Sequence, residues 1–161
     1  MQMIVSHIMD NINALSNIIL VDTQLQEGVS LASLAHELTV DKVFIHVDAQ
    51  NCVTEEQFCN KFVDAVKNET GIESVIDFGT SLSLPQRIAI EQGQNVIVWI
   101  DGFDQINNYG ESIALQRLLR SHWQKHTNVV YCLCGSNVNF MAGLYVNPDS
   151  PFYMFGSVIT K

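Results

Sequence analysis

Three places in the sequence join an apolar run to residues that can handle phosphate or a divalent cation. In the first, residues 17–22 (NIILVD) lead through TQLQE into GVSLASLAHEL, with Gly28 and Ser30 at the start of a helical pattern. Backbone N–H groups at a helix start cradle phosphate, and a hydroxyl there can hold Mg2+. The spacing that does both is G-x-x-x-x-G-K-[ST]. Aligned on Gly28, it puts Thr23 at the first Gly and Val29 at the Lys, so only Gly28 and Ser30 match. In the second, residues 95–101 (NVIVWID) end in Asp101, a carboxylate suited to holding Mg2+ through water, with Gly102 next and Asp104 two residues further on. In the third, residues 128–135 (NVVYCLCG) are followed by Ser136. Each place has a plain structural alternative: a turn before a helix, an Asp capping a turn, a hydroxyl tying down a strand end.

Other constellations carry less. His122 and His126 are four apart on a helical pattern, a metal-capable spacing, but no third ligand accompanies them. Cys132 and Cys134 share a strand face and read as core. Ser136 follows a strand as a nucleophile would, yet lacks the G-x-S-x-G elbow. Asp101 and Asp104 could be paired as acid and base, but nothing in the sequence positions a substrate beside them.

Composition narrows the classes further. The chain has 161 residues, 47% hydrophobic and 16% charged, which fits one domain with a substantial core and excludes intrinsic disorder. Eight basic residues stand against 17 acidic ones, a formal net charge of −9, which argues against binding nucleic-acid backbone or an anionic membrane. No apolar stretch reaches the ~18 residues of a membrane helix, and the N-terminus lacks the basic region of a signal peptide. Four unpatterned cysteines predict reduced thiols and a cytoplasmic setting.

The residues of interest must be positioned by alternating elements. The spacing predicts a helix over 3–15, a strand over 17–22, a helix over 28–38 and a strand over 42–48. Thr54 and Gln57 form a capping box opening a helix that Gly71 ends. Residues 74–84 are ambiguous, and Pro85 opens a short helix to Gln92. A strand over 95–101, a Gly/Asn loop and a helix over 112–126 follow, with Leu115, Leu118, Leu119 and His122 or Trp123 inward. Strands over 128–135 and 156–161 flank a loop at 148–151. Such alternation gives a parallel sheet covered on both faces, with ligands at the carboxyl ends of the strands, where Asp22, Asp48, Asp101 and Ser136 lie.

The ordered set from residue 17 to the end resembles the archaeal-type ATPase family, P-loop NTPases related to the AAA+ and STAND groups. It is carried by Asp101, Trp123, Gly135-Ser136, Met141 and Ser150-Pro151-Phe152-Tyr153. The resemblance implies a three-layer α/β sandwich with a mainly parallel five-stranded sheet of order 5-1-4-3-2. It implies a core domain, read over 1–161 and begun by an N-terminal helix over 1–16; the lid and winged-helix parts that usually follow the core in this family are not expected in this sequence. Nucleotide positions carry over to Thr23, Gly28, Val29, Ser30, Asp101, Gly102 and Ser136, and a Mg2+ pair to Ser30 and Asp101. Three departures stand out: Val29 replaces the phosphate-binding Lys, Gly102 the catalytic Glu, and no Arg follows Tyr153. Each such loss costs on the order of 10²–10⁵ in rate. The expectation is a catalytically degenerate, pseudo-ATPase domain acting through contacts with a protein partner, with no catalytic residues and no cofactor. Mg-ATP at low affinity or slow turnover is the alternative, and an unrelated flavodoxin-like or Rossmann-like enzyme another. Association of like chains is compatible with this reading; nucleic acid and membrane are not expected partners. Asp101 should hydrogen-bond backbone or the Ser30 hydroxyl, and Ser136 should tie down the end of its strand.

Overall fold

A computed structural model describes residues 2–21 and 30–160. Thr23, Gly28 and Val29 lie outside the described residues, as does Asp22. The elements in order are α1 (Gln2–Asn13), β1 (Ile18–Val21), α2 (Leu31–Leu38), β2 (Val43–Asp48), α3 (Glu55–Thr70), α4 (Phe78–Gln92) and β3 (Val96–Asp101). A 3-10 helix (Phe103–Asn108), α5 (Ser112–Trp123), β4 (Val129–Gly135), α6 (Val138–Val146) and β5 (Ser157–Thr160) complete the chain.

The five strands form one sheet of order β2-β3-β4-β1-β5, parallel throughout. This is the expected order 5-1-4-3-2. It differs from the flavodoxin-like order 2-1-3-4-5 and the Rossmann order 3-2-1-4-5-6, so the alternative of an unrelated flavodoxin-like or Rossmann-like enzyme is set aside. Continuous apolar runs such as VIVWI make sense only for strands covered on both faces. Ile97, Trp99, Cys132 and Cys134 face α1 and α2, through Ile8, Ile12, Leu31 and Ala35. Val98, Ile100, Tyr131 and Leu133 face the opposite layer, where Phe58, Phe62, Leu82, Leu119 and Trp123 sit.

Local chemistry sets the helix ends. Thr54 Oγ1 accepts from Gln57 N–H at 3.2 Å, and Gly71 ends α3 in the left-handed conformation. The return arm of the capping box falls one residue early: Gln57 Oε1 accepts from Val53 N–H at 2.8 Å. Pro85 does not open a helix. It lies inside α4, which begins at Phe78 under an Asp77 cap whose Oδ1 accepts from Thr80 N–H at 2.6 Å. Burial of Leu82, Leu84, Ile88 and Ala89, with Phe78 edge-on to Phe58 and Phe62, outweighs the backbone bond that Pro85 removes.

Leu115, Leu119 and Trp123 point inward on α5, as expected, but Leu118 faces solvent. Leu118 is one residue out of phase with the inward stripe at 115, 119 and 123. The loop after β3 is a 3-10 helix because Phe103 and Ile106 are both buried. α6, which has no charged residue to mark a polar face, went unread in the sequence.

Candidate functional site

The carboxyl ends of β3 and β4 meet in a polar cavity of about 280 Å³, lined by Gln50, Asn51, Asp101, Gly102, Asp104, Gln105, Gly135 and Ser136. Three of the expected site residues, Asp101, Gly102 and Ser136, therefore come together. Ser30 stands apart as the N-cap of α2, its Oγ accepting from Ser33 N–H at 3.3 Å, and it makes no hydrogen bond to Asp101.

Asp101 ends β3 on the same sheet face as Trp99, two residues back, and beside His46 on β2, which is in register with Trp99. The Trp99 indole Nε1–H donates to Asp101 Oδ1 at 3.2 Å. His46 Nε2 lies 2.7 Å from Oδ2 and donates to it. Each oxygen of the carboxylate thus already accepts from a side chain. The hydrogen bond to Asp101 raises the His46 pKa above its ordinary value; burial opposes this, and the charges of Asp101 and Asp48 reinforce it. A protonated imidazole at this distance disfavours a second cation on the same carboxylate. Of the described members of the expected Mg2+ pair, Ser30 serves as a helix cap and Asp101 is engaged by Trp99 and His46. That arrangement fits a metal poorly.

Gly102 adopts φ +71°, and a Cβ there would lie 2.6 Å from both Gln50 Cα and Gln50 N. The chain after β2 packs backbone against backbone on this residue, held by Ala49 N–H donating to Asp101 O at 2.8 Å. No side chain fits where the resemblance puts a catalytic Glu.

Asp104 is not paired with Asp101 as acid and base. Its Oδ2 accepts from the backbone N–H groups of Ser136 (3.1 Å) and Asn137 (2.8 Å), at the start of α6. A carboxylate there satisfies orphan donors and suits the positive end of the helix. Gly135 makes room: a Cβ would lie 2.9 Å from Asp104 Cγ and 2.7 Å from Met141 Sδ. Ser136 is tied down through its backbone, and its hydroxyl makes no hydrogen bond among the described residues.

The histidine pair does not act together, because His126 Nδ1 is hydrogen-bonded to the Tyr131 hydroxyl. Burial pushes the His126 pKa down to about 4, helped by His122 and Lys125, so the ring is neutral. Cys132 and Cys134 are fully buried, which raises both thiols well above the ordinary range and keeps them protonated. Among the described residues, no three His, Cys, Asp or Glu side chains cluster as a metal site. Nor is any described helix long and apolar enough to cross a membrane.

Sequence reasoning missed His46, whose role needs the β2–β3 register. The Trp99–Asp101 pair was missed too, although strand residues two apart share a face.

No protein-family model matches the sequence, and no curated protein does either. Solved structures do match. A Walker-type ATPase of Pyrococcus abyssi aligns with a TM-score of 0.71 at 15% identity, over 97% of this chain and 51% of the other. The ORC1 protein of Aeropyrum pernix in complex with DNA aligns at 0.67 and 12%, over 99% and 44%. The ORC2 protein of the same organism, in ADPNP and ADP complexes, aligns at 0.63 and 11%, over 99% and 46%. The chain spans about half the length of these three structures. With its sheet order and the polar strand ends on one side, the chain has the fold of the archaeal P-loop ATPases.

Proposed function

We propose that this chain is a catalytically degenerate P-loop ATPase-like domain, one core unit over 1–161, that works through contacts with another protein and does not turn over ATP. The observation that carries the reading is Gly102. The position next to the strand-end carboxylate has no Glu, and the Gln50 backbone fills the space a side chain would need. Val29 at the Lys position and the absence of Arg after Tyr153 point the same way. So does Asp101, whose oxygens accept from His46 and Trp99. The Aeropyrum ORC1 neighbour is in complex with DNA; a net charge of −9 speaks against that partner for this chain.

A second reading, weak Mg-ATP binding, draws on the polar cavity beside Asp101 and Ser136 and on the nucleotide-bound ORC2 neighbour. One experiment tests both. Thermal unfolding with and without Mg-ATP is followed alongside phosphate release. A ligand at ~100 times its Kd would add about 2.7 kcal/mol, a shift of several degrees at this size. The proposal expects no shift and no turnover. A shift without turnover supports the second reading, and turnover abolished by Asp101→Ala refutes the proposal in favour of a slow ATPase.

A further inference from the structure

All 17 acidic side chains lie outside residues 112–147, a stretch holding Arg117, Arg120 and Lys125. It forms α5, β4 and α6, so the surface that α5 and α6 share has no acid on either helix, in an otherwise strongly acidic protein. Arg120 is committed, with Nη1 donating to Tyr153 O at 3.2 Å and the guanidinium over the Phe155 ring. Arg117 on α5 and Lys125 just beyond its end are exposed and form no ion pair among the described residues.

The same face is short of apolar partners. α6 (VNFMAGLYV) is apolar but for Asn139, yet only Met141 and Leu144 are buried, while Val138 and Val146 stand in solvent. A helix of that composition belongs in an interior. Between α5 and α6 opens a cavity of about 400 Å³ lined by Ile113, Phe140, Gly143 and Leu144, with Asp149 also in its lining. Gln116, 97% buried, lines it too. Its Nε2 donates to Ser112 Oγ at 3.0 Å, and its Oε1 has no partner among the described residues. Apolar walls with a polar side chain among them are what a ligand pocket offers.

We propose that the α5–α6 cavity and the adjoining Arg117 and Lys125 bind an acidic, amphipathic peptide segment of a partner protein. An apolar side chain of the partner enters beside Ile113 and Phe140, and a peptide N–H meets Gln116 Oε1. Arg117 follows Ile113 by one helical turn, so the partner's carboxylates run along α5 toward Lys125, away from Asp149. Charge complementarity selects this occupant, because Arg117 and Lys125 are exposed cations with no ion-pair partner among the described residues.

This inference rests on the chain being a protein-contact domain, and the test separates the two. A library of random peptides, roughly 16 residues or four to five turns long, is selected against the full chain. Enriched peptides are then titrated by fluorescence anisotropy. They should be net acidic, with apolar residues at helical spacing. Arg117→Glu with Lys125→Glu should weaken them about tenfold or more. So should Gly143→Met: a Cβ at Gly143 meets nothing within 4 Å, so the longer side chain fills the cavity while raising helix propensity. Thermal midpoints verify that the variants are folded; should Gly143→Met be unstable, Ile113→Asp on the half-exposed rim replaces it.

No enrichment, enrichment of neutral or basic peptides, or binding untouched by these variants would overturn the proposal. So would a dimer dissolved by Gly143→Met, or a DNA duplex bound in the peptide's place and lost on charge reversal. ATP turnover by the same preparation with acidic-peptide binding intact would overturn only the degenerate-ATPase reading. No turnover and no acidic peptide would overturn only this one.

Discussion

His46 on β2 and Asp101 at the tip of β3 form an ion pair at 2.7 Å between neighbouring parallel strands. Because His46 binds its proton more tightly when folded, the pair stabilises the fold fully below the ordinary histidine pKa, near 6.5. That contribution disappears as pH rises through the higher folded value. His46 is 42% exposed, so solvent screening holds it to less than about 1 kcal/mol. Urea midpoints of the parent and His46→Gln should therefore differ most below the ordinary histidine pKa and converge as pH rises through the raised His46 value. A gap that widens toward alkaline pH would contradict the assignment.

Asp101 also holds the indole of Trp99, which is fully buried. Asp101→Ala should strand that donor and cost about 1–3 kcal/mol. Asp101→Asn keeps an acceptor and should retain most of the stability. A residue serving Mg2+ would behave otherwise, with its removal abolishing stabilisation by the metal. Denaturant unfolding of both variants, with and without Mg2+, distinguishes the cases.

Restoring the glutamate at position 102 should not restore hydrolysis. Gly102→Glu must adopt positive φ, at about 1–2 kcal/mol, and its Cβ must displace the Gln50 backbone, which adds to that cost. The expected result is a lower urea midpoint and no phosphate release. A variant as stable as the parent would show that the chain after β2 yields easily.

Asp104→Ala should cost about 1–2 kcal/mol, since two N–H groups at the start of α6 lose their acceptor. Asp104→Asn keeps the acceptor oxygen and should lose only part of that. Hydrogen exchange at Ser136 and Asn137 should accelerate in the alanine variant before the rest of the sheet is affected.

The sheet was legible because its strands are covered on both faces and so read as unbroken apolar runs ending in Asp101 or Gly135. The site was legible only in part. Asp101, Gly102 and Ser136 lie at strand ends, where a parallel sheet gathers its polar groups. His46 could not be found this way, since its meeting with Asp101 depends on pairing residues 55 positions apart. Asp104 was not legible for a related reason: the backbone it caps follows the carboxyl end of β4, more than 30 positions along the chain. The first half of α4 failed on composition, because Gly79, Thr80, Ser81 and Pro85 all disfavour a helix that tertiary burial nonetheless imposes.

The strand order also sets when the protein can become whole. β1 pairs only with β4 and β5, and Asn17 beside it accepts from Tyr131 N–H, 114 residues away, at 2.9 Å. While the ribosome is still making α3 and α4, neither β1 nor β2 has a partner strand; β2 gains β3 next, and β1 waits for β4. The first strand made is therefore among the last to be seated, its apolar run exposed throughout the interval. Such distant pairings close slowly and leave the nascent chain open to aggregation, which makes shielding of residues 18–21 a condition for efficient folding.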